Sequence, residues 1–306
     1  MTPVRIFLGT QVEQSLAVAV LSYSITAHTR WPVEITPLYQ AVQAAGINIP
    51  TPAQLQLRPR TPFSFQRFAI PAICRYQGRA IYLDSDMLVF KDIGEIWQQS
   101  FARPSGEMMD LLSVPEPVGS GRSPQYSVML LNCESLSWQV DCLVRELERG
   151  TWTYKQFVME MAPATHKAAA LPAGWNDLER YDLGTTALLH YTDMPRQPWL
   201  SVANPLAALW CDALLKAVAA GAISRDTVRA SVELGWVRPS LLPQIDQGIA
   251  DPLRLPEDVL QRDRRSFTPP HVWQQYLRHP VLQGARSRRW FNLAYSTAYR
   301  ILKRSP

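Results

Sequence analysis

Four cysteines, Cys74, Cys133, Cys142 and Cys211, are scattered through 306 residues, with no Cys-x-x-Cys pair and no histidine beside them at zinc spacing. That pattern indicates neither a disulfide framework nor a zinc site, and the four are expected to be reduced core residues. No unbroken run of about 18 apolar residues occurs, so no transmembrane helix is expected. The opening Met-Thr-Pro-Val-Arg-Ile-Phe-Leu-Gly runs straight into a strand. It lacks the charged start, apolar stretch and small-residue cleavage site of a secretory signal, which makes the cytosol the expected compartment. Internal repeats, low-complexity segments and a glycine-rich basic phosphate loop near the start are also missing.

What is present is a chain that is 47% hydrophobic, ample for a sizeable core, with a formal charge of +5. A mildly basic surface favours anionic partners such as nucleotides, phospholipid headgroups or nucleic acid, without choosing among them. Strand and helix patterns alternate. Strands are expected at 4–8, 33–38, 79–90, 111–114, 126–131 and 187–189, and helices at 15–25, 63–76, 138–149 and 154–161. This order predicts an α/β domain, a sheet with helices on both faces, over 1–203. From 204 the texture turns helical, with segments at 207–221 and 225–235 that stop at glycine, so 204–306 is expected to be a helical C-terminal region.

The segment 79–90, Arg-Ala-Ile-Tyr-Leu-Asp-Ser-Asp-Met-Leu-Val-Phe, is an apolar strand-length run broken at its centre by two carboxylates without a local counter-charge. Strand alternation makes Asp84 and Asp86, at i and i+2, project to the same side, and two like charges that close are costly unless a proton or a cation sits between them. An Asp-x-Asp triplet is weak by itself, since 14 aspartates yield about half of one by chance. Its setting adds weight: hard carboxylate oxygens at a strand end suit Mg²⁺ or Mn²⁺ bridging to phosphate oxygens. Loop capping is the structural alternative.

Two further segments join it. Gly9, Thr10 and Gln11 follow the first strand, where ligands of open α/β sheets bind, although a plain glycine turn also explains them. His190 follows the strand at 187–189 and opens the polar, proline-punctuated loop Tyr-Thr-Asp-Met-Pro-Arg-Gln-Pro-Trp, suited to closing over an anion. An imidazole added to two carboxylates favours Mn²⁺ over Mg²⁺.

Taken in order, Arg67, Asp84-Ser85-Asp86, the Val-Met-Leu-Leu-Asn strand at 128–132, the Leu-Pro-x-x-Trp-Asn segment at 171–176, and His190 with Arg196 and Pro198-Trp199 resemble the retaining family 8 glycosyltransferases, which include glycogenin and bacterial lipopolysaccharide galactosyltransferases. The resemblance covers residues 4–199. It implies a GT-A type, Rossmann-like mixed sheet flanked by helices, and transfer of a hexose from a UDP-sugar, glucose or galactose, to a glycan, glycolipid or protein acceptor. It implies that Asp84, Asp86 and His190 bind Mn²⁺ or Mg²⁺, and that Gly9, Thr10, Gln11, Arg67 and Ser85 contact the donor. Arg196 stands where the family has a lysine that grips the diphosphate, and Gln156 and Gln125 are the candidates to contact the sugar. Lys155 occupies the position of a family aspartate, and Asp193 that of a glycine. Those two departures keep open a non-catalytic glycan- or partner-binding member; the other alternative, a nucleotidyltransferase, lacks its phosphate loop.

At the far end, Arg286, Arg288, Arg289, Arg300, Lys303 and Arg304 are interleaved with Trp290, Phe291, Tyr295, Tyr299, Ile301 and Leu302. This mixture suits the anionic inner face of a membrane, with a helix at 290–303 packed on the main domain as the alternative. No recognised nucleic-acid module accompanies it, so nucleic acid is not an expected partner.

Overall fold

The computed structural model describes residues 2–122 and 124–271. They form two compact units, the first ending at Thr192 and the second beginning at Asp193.

The first unit is built on nine strands: β1 (Val4–Gly9), β2 (Val33–Pro37), β3 (Arg79–Asp84), β4 (Met87–Val89), β5 (Leu111–Ser113), β6 (Val128–Asn132), β7 (Lys167–Ala169), β8 (Asp177–Leu178) and β9 (Leu188–His190). Six of them make one mixed sheet in the order β2-β1-β3-β6-β5-β7. Within it β1 runs parallel to β2 and β3, whereas β6 is antiparallel to β3. The other three make a small sheet in the order β4-β9-β8. Both faces of the large sheet are apolar, as the strand period demands. Ile6, Leu8, Ile81 and Leu83 enter one cluster, while Phe7, Tyr82, Met129 and Leu131 enter the cluster on the opposite face with Phe65, Phe68 and Trp138. The expected mixed α/β architecture is therefore present.

The strand expected across 79–90 is not continuous. It breaks after Asp84, and the chain crosses at Ser85 from the large sheet into the small one, which β4 enters. The Ser85 N–H donates to the Gly9 carbonyl at 3.1 Å, so the crossing is bonded to the end of β1. Asp84 thus ends a strand of the large sheet, whereas Asp86 lies in the bend before β4, and the two are not neighbours on one strand face. The helix expected over 63–76 is also interrupted, into Phe63–Gln66, a tight turn Arg67–Ala69 and Ile70–Ile73. Pro71 is the cause, because it has no N–H to return to the carbonyl of Arg67. The 154–161 segment is a single wide helical turn, Lys155–Met159, and the strand expected to 38 stops at Pro37, where the helix Leu38–Ala44 begins.

The second unit carries helices Ala207–Ala219, Arg225–Glu233, Leu241–Gln247 and Glu257–Ser266. Arg238 is 1% exposed at its centre. Its backbone N–H donates to the Trp199 carbonyl at 2.8 Å and its Nε to the Pro198 carbonyl at 2.9 Å. The remaining guanidinium nitrogens meet Ser240, Gln244 and Cys211. A buried guanidinium is tolerated because acceptors surround it on all three nitrogens. The four cysteines are free thiols, and no helix among the described residues is long and apolar enough to cross a membrane. The basic, aromatic segment from 286 to 304, with the helix expected at 290–303, lies outside the described residues.

Candidate metal and donor site

The carboxyl ends of β1 and β3 lie side by side, with Gly9 opposite Asp84. His190 reaches the same place through the small sheet, where β9 pairs antiparallel with β4 and sets His190 opposite Met87. The Tyr191 N–H donates to the Asp86 carbonyl at 2.8 Å. Strand pairing therefore delivers the distant histidine beside the second aspartate. Asp84, Asp86 and His190 each offer one ligand atom, all within 4.8 Å of one another.

The donor set fits a divalent cation on its chemistry. His190 Nε2 lies 3.1 Å from Asp86 Oδ1. Its Nδ1 is 2.9 Å from Asn176 Oδ1, an acceptor, so Nδ1 carries a proton, and Nε2 is the ring nitrogen set toward the carboxylates. Burial pushes the Asp84 carboxyl above its ordinary value, an effect opposed by the Arg67 guanidinium and reinforced by Asp86. Burial depresses the His190 imidazole, but Asp86 and then Asp84 outweigh it and raise its pKa. Two carboxylates this close make each other's ionisation costly, and a divalent cation removes that cost.

The segment after β1 is tied to the aspartate turn through a residue the sequence did not single out. Gln14 Oε1 accepts from the Gln11 N–H at 3.2 Å and from the Ser85 hydroxyl at 3.2 Å. The Thr10 hydroxyl, itself buried, reaches the same oxygen at 3.4 Å. Gly9, Thr10, Gln11 and Ser85 thus form one bonded rim. Arg67 is buried in the same region: its Nη1 donates to the Tyr126 carbonyl at 3.3 Å, and its guanidinium lies 4.9 Å from the centre of the Tyr82 ring. The Arg67 Nε–H is buried without an acceptor among the described residues.

Gln125 stands half-buried just before β6, beside Tyr126 and Ser127, whose carbonyls accept from Arg67 and from the Asp84 N–H. Gln156 is exposed, and its Oε1 accepts from the Thr153 N–H at 2.9 Å and hydroxyl at 3.0 Å. Among the described residues no hydrogen bond links Gln156 to the aspartates. Lys155 pairs with Glu160 at 3.2 Å. Arg196 belongs to the second unit, on the turn Met194–Arg196, with its Nε 3.6 Å from Asp193 Oδ2.

Tyr82, Gln14 and Asn176 are the contributors that pattern reading missed. Asn176 has a local explanation. Gly174, at φ +84°, lets the chain lie against Thr185, whose carbonyl would be 2.7 Å from any added Cβ. The Gly174 carbonyl accepts from the N–H groups of Ala187 and Leu188, and Trp175 is wholly buried with its Nε1–H on Glu95 at 3.0 Å. The Leu-Pro-x-Gly-Trp-Asn segment is thus fastened to β9 at Gly174 and to the core at Trp175, and Asn176 comes out behind His190.

No known family model matches the chain. A stretch of 95 residues is 40% identical to Protein CDI of Arabidopsis thaliana, covering 31% of this chain and 36% of that protein. The fold is similar to that of the glycosyltransferase GlyE of Streptococcus pneumoniae TIGR4, at 16% identity and a TM-score of 0.50, over 72% of this chain and 64% of that one. It is similar also to the bifunctional glycosyltransferase WbbM, at 14% identity and a TM-score of 0.51, over 70% of this chain and 50% of that one. The chain therefore spans about a third of the curated relative it matches and half to two thirds of these structures. At such identities the likeness is one of fold: the first unit has the mixed, helix-flanked GT-A architecture.

Proposed function

We propose that this chain is a metal-dependent hexosyltransferase of the family 8 type, moving glucose or galactose from a UDP-sugar to a glycan, glycolipid or protein acceptor with retention at C1. One observation carries the reading: the ligand atoms of Asp84, Asp86 and His190 lie within 4.8 Å of one another at the carboxyl ends of adjacent strands, where α/β sheets bind nucleotides. The imidazole in the set favours Mn²⁺ over Mg²⁺. When bound, the cation supplies charge stabilisation to the departing diphosphate.

The protein's own groups divide the remaining work. The rim of Gly9, Thr10, Gln11 and Ser85 holds the nucleotide, and Arg67, buried beside Tyr82, is assigned a contact with the donor by resemblance. Arg196 is assigned the diphosphate by resemblance, since its planar fork can exchange Asp193 for two phosphate oxygens. Gln125 and Gln156 contact the sugar as C1 gains positive character, and the acceptor attacks from the face that the leaving group departs. Calorimetry of UDP with and without Mn²⁺, on the unaltered chain and on Asp86→Ala, tests the reading. Mn²⁺-dependent UDP binding that Asp86→Ala abolishes supports it; UDP binding that is absent or indifferent to Mn²⁺ overturns it.

A second reading, a binder without turnover, is favoured by the ion pairs at the two departures, Lys155 with Glu160 and Asp193 with Arg196. Slow hydrolysis of UDP-glucose or UDP-galactose in the presence of Mn²⁺ separates the two, since only the enzyme releases UDP.

A further inference from the structure

Tyr82 is completely buried on the strand that ends in Asp84, two residues upstream and therefore on the same face. Its hydroxyl donates to Asp84 Oδ1 at 2.6 Å, the short length of a bond to an ionised carboxylate. The guanidinium of Arg67 covers the ring at 4.9 Å. Gly9 closes the other side. A Cβ at Gly9 would lie 2.2 Å from the Tyr82 hydroxyl oxygen, 2.8 Å from Cζ and 3.0 Å from Cε2. The phenol is thus confined by ring, cation and backbone, with its single proton directed at one carboxylate oxygen.

We infer that Tyr82 is a positioning residue for the metal site: its hydroxyl fixes the rotation of the Asp84 carboxylate, and position 9 is glycine because that hydroxyl fills the volume a side chain would need. The inference rests on the metal-site reading above and adds to it a part the resemblance does not supply. A carboxylate on a strand end otherwise swings about its side-chain torsions. Held at Oδ1, it keeps its remaining lone pairs on the side that Asp86 and His190 share. The same bond supplies the partner that a phenol buried this deeply requires, so tyrosine and aspartate satisfy each other. Gly9 consequently has two duties. Its carbonyl accepts the Ser85 N–H, and its missing side chain admits the phenol. A glycine chosen only for a turn would need neither, and Gly9 is not among the residues with positive φ.

Mn²⁺ titration of the full chain, followed by calorimetry or by the electron paramagnetic resonance of free Mn²⁺, tests this directly. The variants are Tyr82→Phe, Gly9→Ala, the double variant, and Tyr76→Phe as the control. Tyr76 also uses its hydroxyl for one hydrogen bond, to the Trp138 carbonyl at 3.0 Å, and that bond serves only packing. Tyr82→Phe is expected to weaken Mn²⁺ binding by about 10- to 100-fold, the usual effect of losing a group that orients a metal ligand. Tyr76→Phe is expected to leave it unchanged. Gly9→Ala is expected to weaken Mn²⁺ binding when tyrosine is present and to have a smaller additional effect when phenylalanine is, because the displaced hydroxyl is then gone. Equal Mn²⁺ affinity for the unaltered chain and Tyr82→Phe overturns the inference and leaves the metal site standing. Additive effects of the two substitutions overturn the role given to Gly9. Failure of the unaltered chain to bind Mn²⁺ overturns the metal site and this inference together. If Gly9→Ala does not fold, the comparison of Tyr82→Phe with Tyr76→Phe still decides.

Discussion

Asn176 stands behind His190, its Oδ1 2.9 Å from the imidazole Nδ1, while on the other side of the ring Nε2 lies 3.1 Å from Asp86. The amide and the carboxylate hold the imidazole from its two ends. This arrangement keeps a proton on Nδ1 and sets Nε2 toward the carboxylates, and it makes a residue far from the aspartates in sequence part of their chemistry.

Replacing Asn176 by Ala is therefore expected to weaken Mn²⁺ binding by roughly tenfold or more without unfolding the chain, because the ring loses its orienting acceptor and can turn. Replacement by Asp keeps an acceptor and is expected to preserve binding. Mn²⁺ calorimetry on the two variants checks the contrast, and identical losses in both would rule out an orienting role.

Metal binding requires His190 to give up the proton that the carboxylates help it to keep. Its pKa is raised from the ordinary 6.5, so the competition begins above that value. Mn²⁺ affinity is expected to be level at alkaline pH and to fall toward tenfold per unit as pH drops through the raised imidazole pKa. Titrations between pH 8 and pH 6 read this directly, and in His190→Gln that part of the slope disappears.

Gly174→Ala addresses the fold and the site together. Position 174 has φ +84° and its Cβ would meet the Thr185 carbonyl oxygen at 2.7 Å, so the substitution is expected to destabilise the chain by about 1–3 kcal/mol. Because the same segment carries Asn176, Mn²⁺ affinity is expected to fall as well. Thermal unfolding with and without Mn²⁺ separates the two effects.

The aspartates were legible because a strand of 79–90 character has no structural use for two carboxylates. Their geometry was not, since the break at Ser85 depends on its bond to Gly9, a contact between distant segments that no local periodicity records. β7 and β8 are three and two residues long, too short to leave a pattern. Pro71 was visible in the sequence, and its disruption of the 63–76 helix could have been anticipated from its missing N–H. Tyr82 was within reach of the same reasoning: it precedes Asp84 by two residues, and strand alternation puts both on one face. Gln14 and Asn176 were not, because each acts through a partner brought to it by the tertiary fold.

The crossing at Ser85 has one more consequence. Asp84 ends a strand of the six-stranded sheet, whereas His190 belongs to the three-stranded one and Asp86 is bonded beside it through the Tyr191 N–H, and Ile81, Leu83, Met87 and Leu188 pack both sheets into a single cluster. The gap between the ligand atoms thus works as a gauge of how closely the two sheets are seated. A methyl group added or removed among those four side chains is expected to alter that gap, by residues outside the ligand set.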